Sequence, residues 1–277
     1  MIKISIITPL KNGISYLKDC IESIISQQGD FYIEYLIIDG QSTDGSLELA
    51  QSYEKQISQD LIPINCKGIE MKVMSGKDHS MYEALTNGFK LCKGDVVAYL
   101  NSDDMYLPNS FRKVKYCFEH YSVNWLMGKI RTVDSELELI HQLLPFSYEN
   151  DLIRHGHYNG KLLPFIQQEN VFFTKECLKL IDFEVLKNHK LAGDFYIWFS
   201  LSQHYKLWVA NESFAQARMH NNRLSSNREL YFKEFSRIAQ KKNFSSYYKA
   251  FKWLCKQHLI PFKSKWSGTV IALPHNI

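Results

Sequence analysis

Val96-Val97-Ala98-Tyr99-Leu100-Asn101-Ser102-Asp103-Asp104 joins an apolar, strand-like run directly to two adjacent carboxylates. A short run rich in β-branched and aromatic residues suits a strand buried on both faces. Acids at its carboxyl end stand where open parallel sheets bind ligands, in the crevice beyond the strand ends. Two carboxylates in that place suit a divalent cation, because a hard cation takes oxygen ligands in exchange for its water. Asn, Ser and Asp also gather at ordinary turns, so the tetrapeptide alone leaves both possibilities open.

The same pattern recurs upstream. Tyr35-Leu36-Ile37-Ile38 ends at Asp39 and continues as Gly40-Gln41-Ser42-Thr43-Asp44-Gly45, while Met71-Lys72-Val73-Met74 ends at Ser75-Gly76-Lys77-Asp78. Residues 2–7 form another β-branched run, broken by Thr8-Pro9-Leu10-Lys11-Asn12-Gly13. Between the runs, Leu17, Cys20, Ile21, Ile24 and Ile25 recur at helical spacing. A second helix carries Leu47, Ala50 and Tyr53 behind a cap at Thr43 or Asp44, and a third carries Met81, Ala84, Leu85 and Phe89. Pro108 suits the first residue of a helix reaching Phe118. This alternation predicts an α/β fold, with a mostly parallel sheet covered by helices on both faces and its acidic exits on one edge.

Composition bounds the rest. With 277 residues, 45% hydrophobic and 22% charged, the chain can bury a full core as one large domain or one domain with an appendage. A formal net charge of +4 is too mild to argue for nucleic acid. The six cysteines are scattered without a C-x-x-C pair, which speaks against a zinc ribbon or thioredoxin-type site and for a reducing compartment. No charged leader precedes a long apolar segment at the N-terminus, and no apolar run nears the ~20 residues of a membrane span, so a cytoplasmic protein is expected. From Arg228 onward, lysines and arginines interleave with aromatics while acids become scarce. That change predicts a catalytic domain over 1–227 and a basic, aromatic, helical appendage over 228–277. Such an appendage suits the inner face of an anionic membrane, or packing on the catalytic domain with a solvated basic face.

Taken in order, Ile4-Ser5-Ile6-Ile7-Thr8-Pro9-Leu10-Lys11-Asn12, the segment from Ile37 to Gly45, the segment from Gly94 to Asp104, and Gly193-Asp194 resemble family 2 glycosyltransferases of the GT-A fold. The likeness spans roughly residues 1–220. Asp78-His79-Ser80-Met81-Tyr82-Glu83-Ala84-Leu85-Thr86-Asn87-Gly88 further resembles a segment of bacterial surface-polysaccharide members. The resemblance implies a Rossmann-like sheet, a nucleotide-sugar donor (usually a UDP-sugar), a divalent cation such as Mn2+ or Mg2+, and inverting transfer to a hydroxyl. The acceptor would be a glycan or a lipid-linked sugar.

Carried over by residue, the resemblance places Thr8, Pro9, Asp39, Asp78, Asn101 and Asp103 against the nucleotide sugar, with Asp39 accepting a hydrogen bond from the base. Asp78 would stand near the ribose or base, or else cap the following helix. Asp104 would ligate the metal directly, with Asp103 reaching ribose or metal-bound water. Asp194 would be the general base, or a helix N-cap ahead of Phe195, Ile197, Trp198, Phe199 and Leu201. Members often carry Glu-Asp at this point, so Gly193 removes a neighbouring acid. Arg218-Met219-His220-Asn221-Asn222-Arg223-Leu224-Ser225 resembles a loop that closes over the diphosphate, and His220 would bind metal or phosphate unless it is an ordinary surface histidine. Gln167, Gln168 and Glu169 would line the acceptor side. Tyr158, Phe165 and Trp198 would stack on a sugar or serve the core.

Two other functions compete. A sugar-1-phosphate nucleotidyltransferase would carry a glycine-rich basic loop after its first strand, which Thr8-Pro9-Leu10-Lys11-Asn12-Gly13 matches poorly, and no Walker-type loop is present. A non-catalytic carbohydrate-binding or scaffold protein would not require Asp39, Asp103, Asp104 and Asp194 together.

Overall fold

The computed structural model describes residues 1–143, 147–161, 163–220, 227–259 and 269–274. Its strands are β1 (Lys3–Leu10), β2 (Tyr32–Asp39), β3 (Gly68–Ser75), β4 (Val96–Tyr99), β5 (Met105–Tyr106), β6 (Trp125–Met127), β7 (Arg131–Val133), β8 (Leu139–Gln142), β9 (Val171–Thr174), β10 (Trp208–Ala210), β11 (Ala215–Arg218) and β12 (Val270–Ile271). Its helices are α1 (Ile14–Ile25), α2 (Ser46–Ser58), α3 (Met81–Leu91), α4 (Ser110–His120), α5 (Asn150–Arg154), α6 (Phe183–Leu186), α7 (Gly193–Leu201), α8 (Arg228–Ile238) and α9 (Phe244–Leu259). Among the described residues, eight strands form the central sheet in the order β12-β10-β6-β9-β4-β1-β2-β3. β9 alone runs antiparallel to its neighbours, so the mostly parallel α/β fold expected from the sequence is what forms. A smaller sheet, β5-β11-β7-β8, stands beside it.

Strand alternation divides the core. Ile4, Ile6, Leu10, Tyr35 and Ile37 face one side and pack under α1, α2 and α4. Ile7, Leu36, Ile38, Val97 and Tyr99 face the other and pack under α3, α5 and α7. Thr8 falls by the same period on the α1 face, where it is buried and its Oγ1 accepts a hydrogen bond from the Tyr35 hydroxyl at 3.2 Å. The Thr8 side chain is therefore engaged inside the core beneath α1.

Two helix starts also differ from expectation. α2 is capped by Gly45 in a left-handed conformation (φ 94°), while Asp44 accepts from Ile14 N and Ser46 N and so ties the starts of α1 and α2 together. α4 begins at Ser110 rather than Pro108, because Leu107 N and Ser110 Oγ both bond to Phe214 O and hold the preceding segment against β11.

The expected appendage is helical but does not stand apart. Phe235 of α8 stacks on Phe195 with centroids 3.8 Å apart, and Ala250 and Trp253 of α9 are buried. β12 pairs with β10 and extends the central sheet. The described residues past 227 therefore pack into the same core as the first part of the chain. Among the described residues, no helix is long and apolar enough to cross a membrane.

Gly88 sets the distance between α3 and β1, since a Cβ there would lie 2.4 Å from Ile7 Cγ2. Helix propensity favours alanine by about 1 kcal/mol. Overpacking against a stiff, buried isoleucine costs about 1–3 kcal/mol. Gly88→Ala is expected to be destabilising, with a lower midpoint in urea unfolding; an unchanged or higher midpoint would show that α3 can move off the sheet.

Candidate active site

The site begins at the exits of four parallel strands. After β4, Asn101 is held by Gln168, whose Nε2 donates to Tyr99 O at 2.8 Å and whose Oε1 accepts from Asn101 Nδ2 at 3.1 Å. Gln168 lies in a short 3-10 turn, Gln168–Asn170, that precedes β9. That turn is locked by Asn170, whose side chain is fully buried: its Oδ1 accepts from Phe214 N and Ala215 N, and its Nδ2 donates to Ala215 O and Gln167 Oε1. Gln167 in turn exchanges two hydrogen bonds with the backbone of Arg131. Both glutamines, expected on the acceptor side, are thus engaged in holding loops, and the carboxylate between them and Asn170 is Glu169.

Asp104 is 4% exposed and accepts from Arg218 N at 2.9 Å. Its carboxyl lies within hydrogen-bonding reach of Glu169. Burial, the Glu169 charge and the Asp103 charge push it well above the ordinary carboxylate range. Asp103 is more open and pairs with His220 Nε2 at 2.8 Å. The ring of His220 lies 4.8 Å from Tyr16, over which the Arg218 guanidinium sits at 4.5 Å while binding Asp19 at 2.6 Å. α1 and β11 are clamped together beside the acidic exit by these contacts. Residues 221–225 of the expected closing loop lie outside the described residues.

Asp39, Asp78 and Lys11 gather at the neighbouring exits. Asp39 is fully buried and accepts from Ser42 N at 3.2 Å and Ser75 Oγ at 2.6 Å. Lys11 Nζ donates to the carbonyls of Gly40 and Gln41. Asp78 lies against Gly40, where a Cβ would come within 2.5 Å of its Oδ2. Ser80, not Asp78, caps α3. Burial raises the Asp78 carboxyl above its usual range, with Lys11 acting in the opposite direction. Pro9 is buried in β1 opposite Ile38, one residue before the exit. β1 separates β2 from β4, so the Asp39 and Asn101 exits are about 10 Å apart, two strand spacings.

Asp194 approaches from the far side. Ala192 is the N-cap of α7, so Asp194 is not the capping residue; it sits in the first turn and accepts from Phe195 N at 2.6 Å. Burial, with the Glu169 charge adding to it, raises its carboxyl to about 7. Gly193 is compelled: a Cβ there would meet the Tyr82 ring at 2.5 Å, and the Tyr82 hydroxyl donates to Leu191 O. The departure from a Glu-Asp pair thus follows from the tyrosine. The loop entering α7 is held from α8 by Glu234, which accepts from the backbone of Lys190, Leu191 and Ala192. Neither this support nor the central position of Glu169 has a signature in local sequence.

Asp194 lines a cavity with Ile153, Tyr158, Phe165, Phe195 and Tyr231. Phe165 is 42% exposed and meets Tyr231 edge-on, so of the three aromatics Tyr158, Phe165 and Trp198 it is the one open to solvent. Tyr158 is largely buried and Trp198 stacks on Trp125 in the core. The charge of Glu169 bears on both Asp104 and Asp194, and that of Asp103 on Asp104, so the four form one electrostatically linked run of carboxylates between the end of β4 and the start of α7.

Among the described residues, no three His, Cys, Asp or Glu side chains converge closely enough to hold a metal by themselves. Their chemistry nevertheless fits a divalent cation that shares its ligands with a diphosphate, for which one or two carboxylates suffice. Asp104 has a close carboxyl neighbour in Glu169, and the buried Oδ1 of Asn101 beside them lacks a hydrogen-bond partner. These are hard oxygen donors in want of positive charge.

The model of the family described as Glycosyl transferase family 2 matches residues 5–190. A Nostoc glycosyltransferase is 28% identical over 140 residues, 50% of this chain and 40% of that protein's length. The Bacillus subtilis protein TuaG, assigned to teichuronic acid biosynthesis as a glycosyltransferase, is 26% identical over 235 residues, 81% of this chain and 82% of its own. Among solved structures, S. aureus TarS 1–349 in complex with UDP superposes with a TM-score of 0.61 at 16% identity, covering 96% of this chain and 74% of that one. With the strand exits, the carboxylate run and the family match in agreement, the chain belongs to glycosyltransferase family 2 and has its GT-A architecture.

Proposed function

We propose that this glycosyltransferase moves a sugar from a nucleotide-sugar donor, a UDP-sugar, to a hydroxyl of a glycan or lipid-linked acceptor in surface-polysaccharide synthesis, with inversion and with a divalent cation. The observation that supports this reading is the carboxylate run, with the buried Asp104 beside Glu169 at one end and Asp194, its carboxyl raised to about 7, at the other. UDP in the TarS structure supports the donor class, and the role assigned to TuaG supports the biosynthetic setting.

In this reading the base and ribose lie across the exits of β2 and β4. Asp39, anchored by Ser42 and Ser75, presents carboxylate lone pairs to a ring N–H, and Asp103 reaches the ribose. Asp104 would hold the cation, with Glu169 and Asn101 Oδ1 as the neighbouring oxygens able to assist it. A bound Mn2+ or Mg2+ would neutralise the diphosphate and stabilise the charge that develops on it as it leaves. Arg218 and His220 keep the protein side of this pocket in place through Tyr16, Asp19 and Asp103.

Asp194 takes the proton from the acceptor hydroxyl as it attacks the anomeric carbon from the side opposite the diphosphate. A pKa near the working pH suits a general base, which must be ionised yet basic enough to accept. Phe165 and Tyr231, which line the small cavity at Asp194, would give the acceptor sugar an aromatic wall.

A nucleotidyltransferase would use the same cation exit but has no need of Asp194. For Asp104→Asn, the thermal stabilisation that UDP gives in the presence of Mn2+ should disappear; stabilisation equal to wild type would remove Asp104 from the cation site. Asp194→Asn should keep that stabilisation while transfer falls by about 10²–10⁴-fold in kcat. Wild-type-like turnover would reject it as the base.

The Asp194 carboxyl also predicts pH dependence. Wild-type kcat/KM should rise with pH and level off above about 7 as Asp194 ionises. For stability the sign is opposite. A folded pKa raised from 3.8 to about 7 contributes stability that is fully present below the unfolded value and lost as pH rises through the folded one. Asp194→Asn should therefore gain melting temperature over wild type at pH 8 but not at pH 4; an equal difference at both would show an unshifted Asp194.

A further inference from the structure

α9 carries apolar residues on two opposite faces. Ser246, Ala250 and Trp253, at i, i+4 and i+7, are buried against the domain. Phe244, Tyr247, Tyr248 and Phe251, at i, i+3, i+4 and i+7, are 88%, 57%, 60% and 63% exposed. A helix that packs one face on a core ordinarily presents polar residues on the other. Here the outward face is a continuous aromatic stripe.

Cations border it. Lys252 lies beside the stripe on α9, and Lys241 and Lys242 precede the helix. Lys161 adds charge, near enough to Lys242 to help lower its ammonium below the usual lysine range, after burial. The chain from Gln240 to its end contains no aspartate or glutamate. Exposed Phe and Tyr flanked by lysines and without acids match the polar-apolar boundary of an anionic bilayer: rings sit at headgroup depth, and ammonium groups meet lipid phosphates. A protein partner would need a matching acidic and apolar patch, for which this surface offers no register of mixed charge.

The inner face ties this stripe to the site. Trp253 meets Tyr158 edge-on at 5.6 Å, and Tyr158 lines the cavity that holds Asp194. The stripe thus lies on the outside of the wall whose inside forms the acceptor side. We propose that the aromatic face of α9, with Lys241, Lys242 and Lys252, docks the enzyme on an anionic lipid surface and so brings the Asp194 cavity to acceptors anchored there. The acceptor part rests on the proposed function; the docking part does not.

The full-length protein is sedimented with phosphatidylcholine vesicles with and without phosphatidylglycerol. Binding is expected to the anionic vesicles and to weaken with salt. Combined Phe244→Ala, Tyr248→Ala and Phe251→Ala should lower partitioning at least about tenfold. Lys241→Glu with Lys252→Glu should remove the preference for phosphatidylglycerol. Stabilisation by UDP and Mn2+ should be unchanged in both, which establishes folding and separates a docking failure from a failure of the donor assignment. Partitioning of the aromatic variant equal to wild type would overturn the proposal. So would wild-type indifference to anionic vesicles, or a wild-type dimer that the aromatic substitutions dissolve without any lipid binding.

Discussion

Like charges converge at the end of β4, and the fold keeps them there with neutral donors. Asp104 is buried beside Glu169 and Asp103, an arrangement that repels itself and raises the Asp104 carboxyl. No lysine or arginine side chain is paired with Asp104 among the contacts described; it is held by Arg218 N and by the Asn101 amide. Arg218 has turned its own guanidinium away, onto Tyr16 and Asp19. An arginine pairing with Asp104 would satisfy the acid and occupy the place of an external cation. Neutral donors fix its position without supplying the positive charge that would favour its ionised form. Such a local conflict is characteristic of a site that a ligand completes.

The surrounding structure supplies the rigidity that this conflict demands. Asn170, fully buried with four hydrogen bonds to its side chain, fixes the turn that carries Gln168 and Glu169. Gln168 then fixes Asn101 and the backbone of Tyr99, so the exit of β4 and the turn before β9 move as one unit. On the opposite side, Glu234 accepts three backbone N–H groups from the loop that enters α7. Burial disfavours its ionised form, but these donors outweigh that and hold its carboxyl below the usual range. The position of Asp194 therefore depends on a helix beyond the expected domain boundary.

Much of this was legible in the sequence, for physical reasons that also mark the limits. β1 to β4 and α1 to α3 announce themselves by periodicity, and Asp39, Asp103 and Asp104 by standing directly after buried strands. The face of Thr8 follows from strand alternation once Ile4, Ile6 and Leu10 are known to pack under α1. Glu234 acts on backbone 42 to 44 positions away and Glu169 on a carboxyl 65 positions away, and no local pattern encodes them. The reason for Gly193 is the ring of Tyr82, brought there by tertiary packing. β12 spans two residues and pairs with a strand some 60 positions earlier, too short for any periodicity to reveal.

In the proposed reading, a single cleft would join a cation-bound diphosphate to Asp194 through Asp104 and Glu169. The most direct measurement is a crystal structure of the protein with UDP and Mn2+, with the metal located by its anomalous scattering. A manganese peak is expected between an Asp104 carboxylate oxygen and the diphosphate, with the uracil beside Asp39 and Asp194 facing the same cleft across the space left for the sugar. Manganese bound away from Asp104, or a nucleotide seated on a surface that Asp194 does not share, would contradict it.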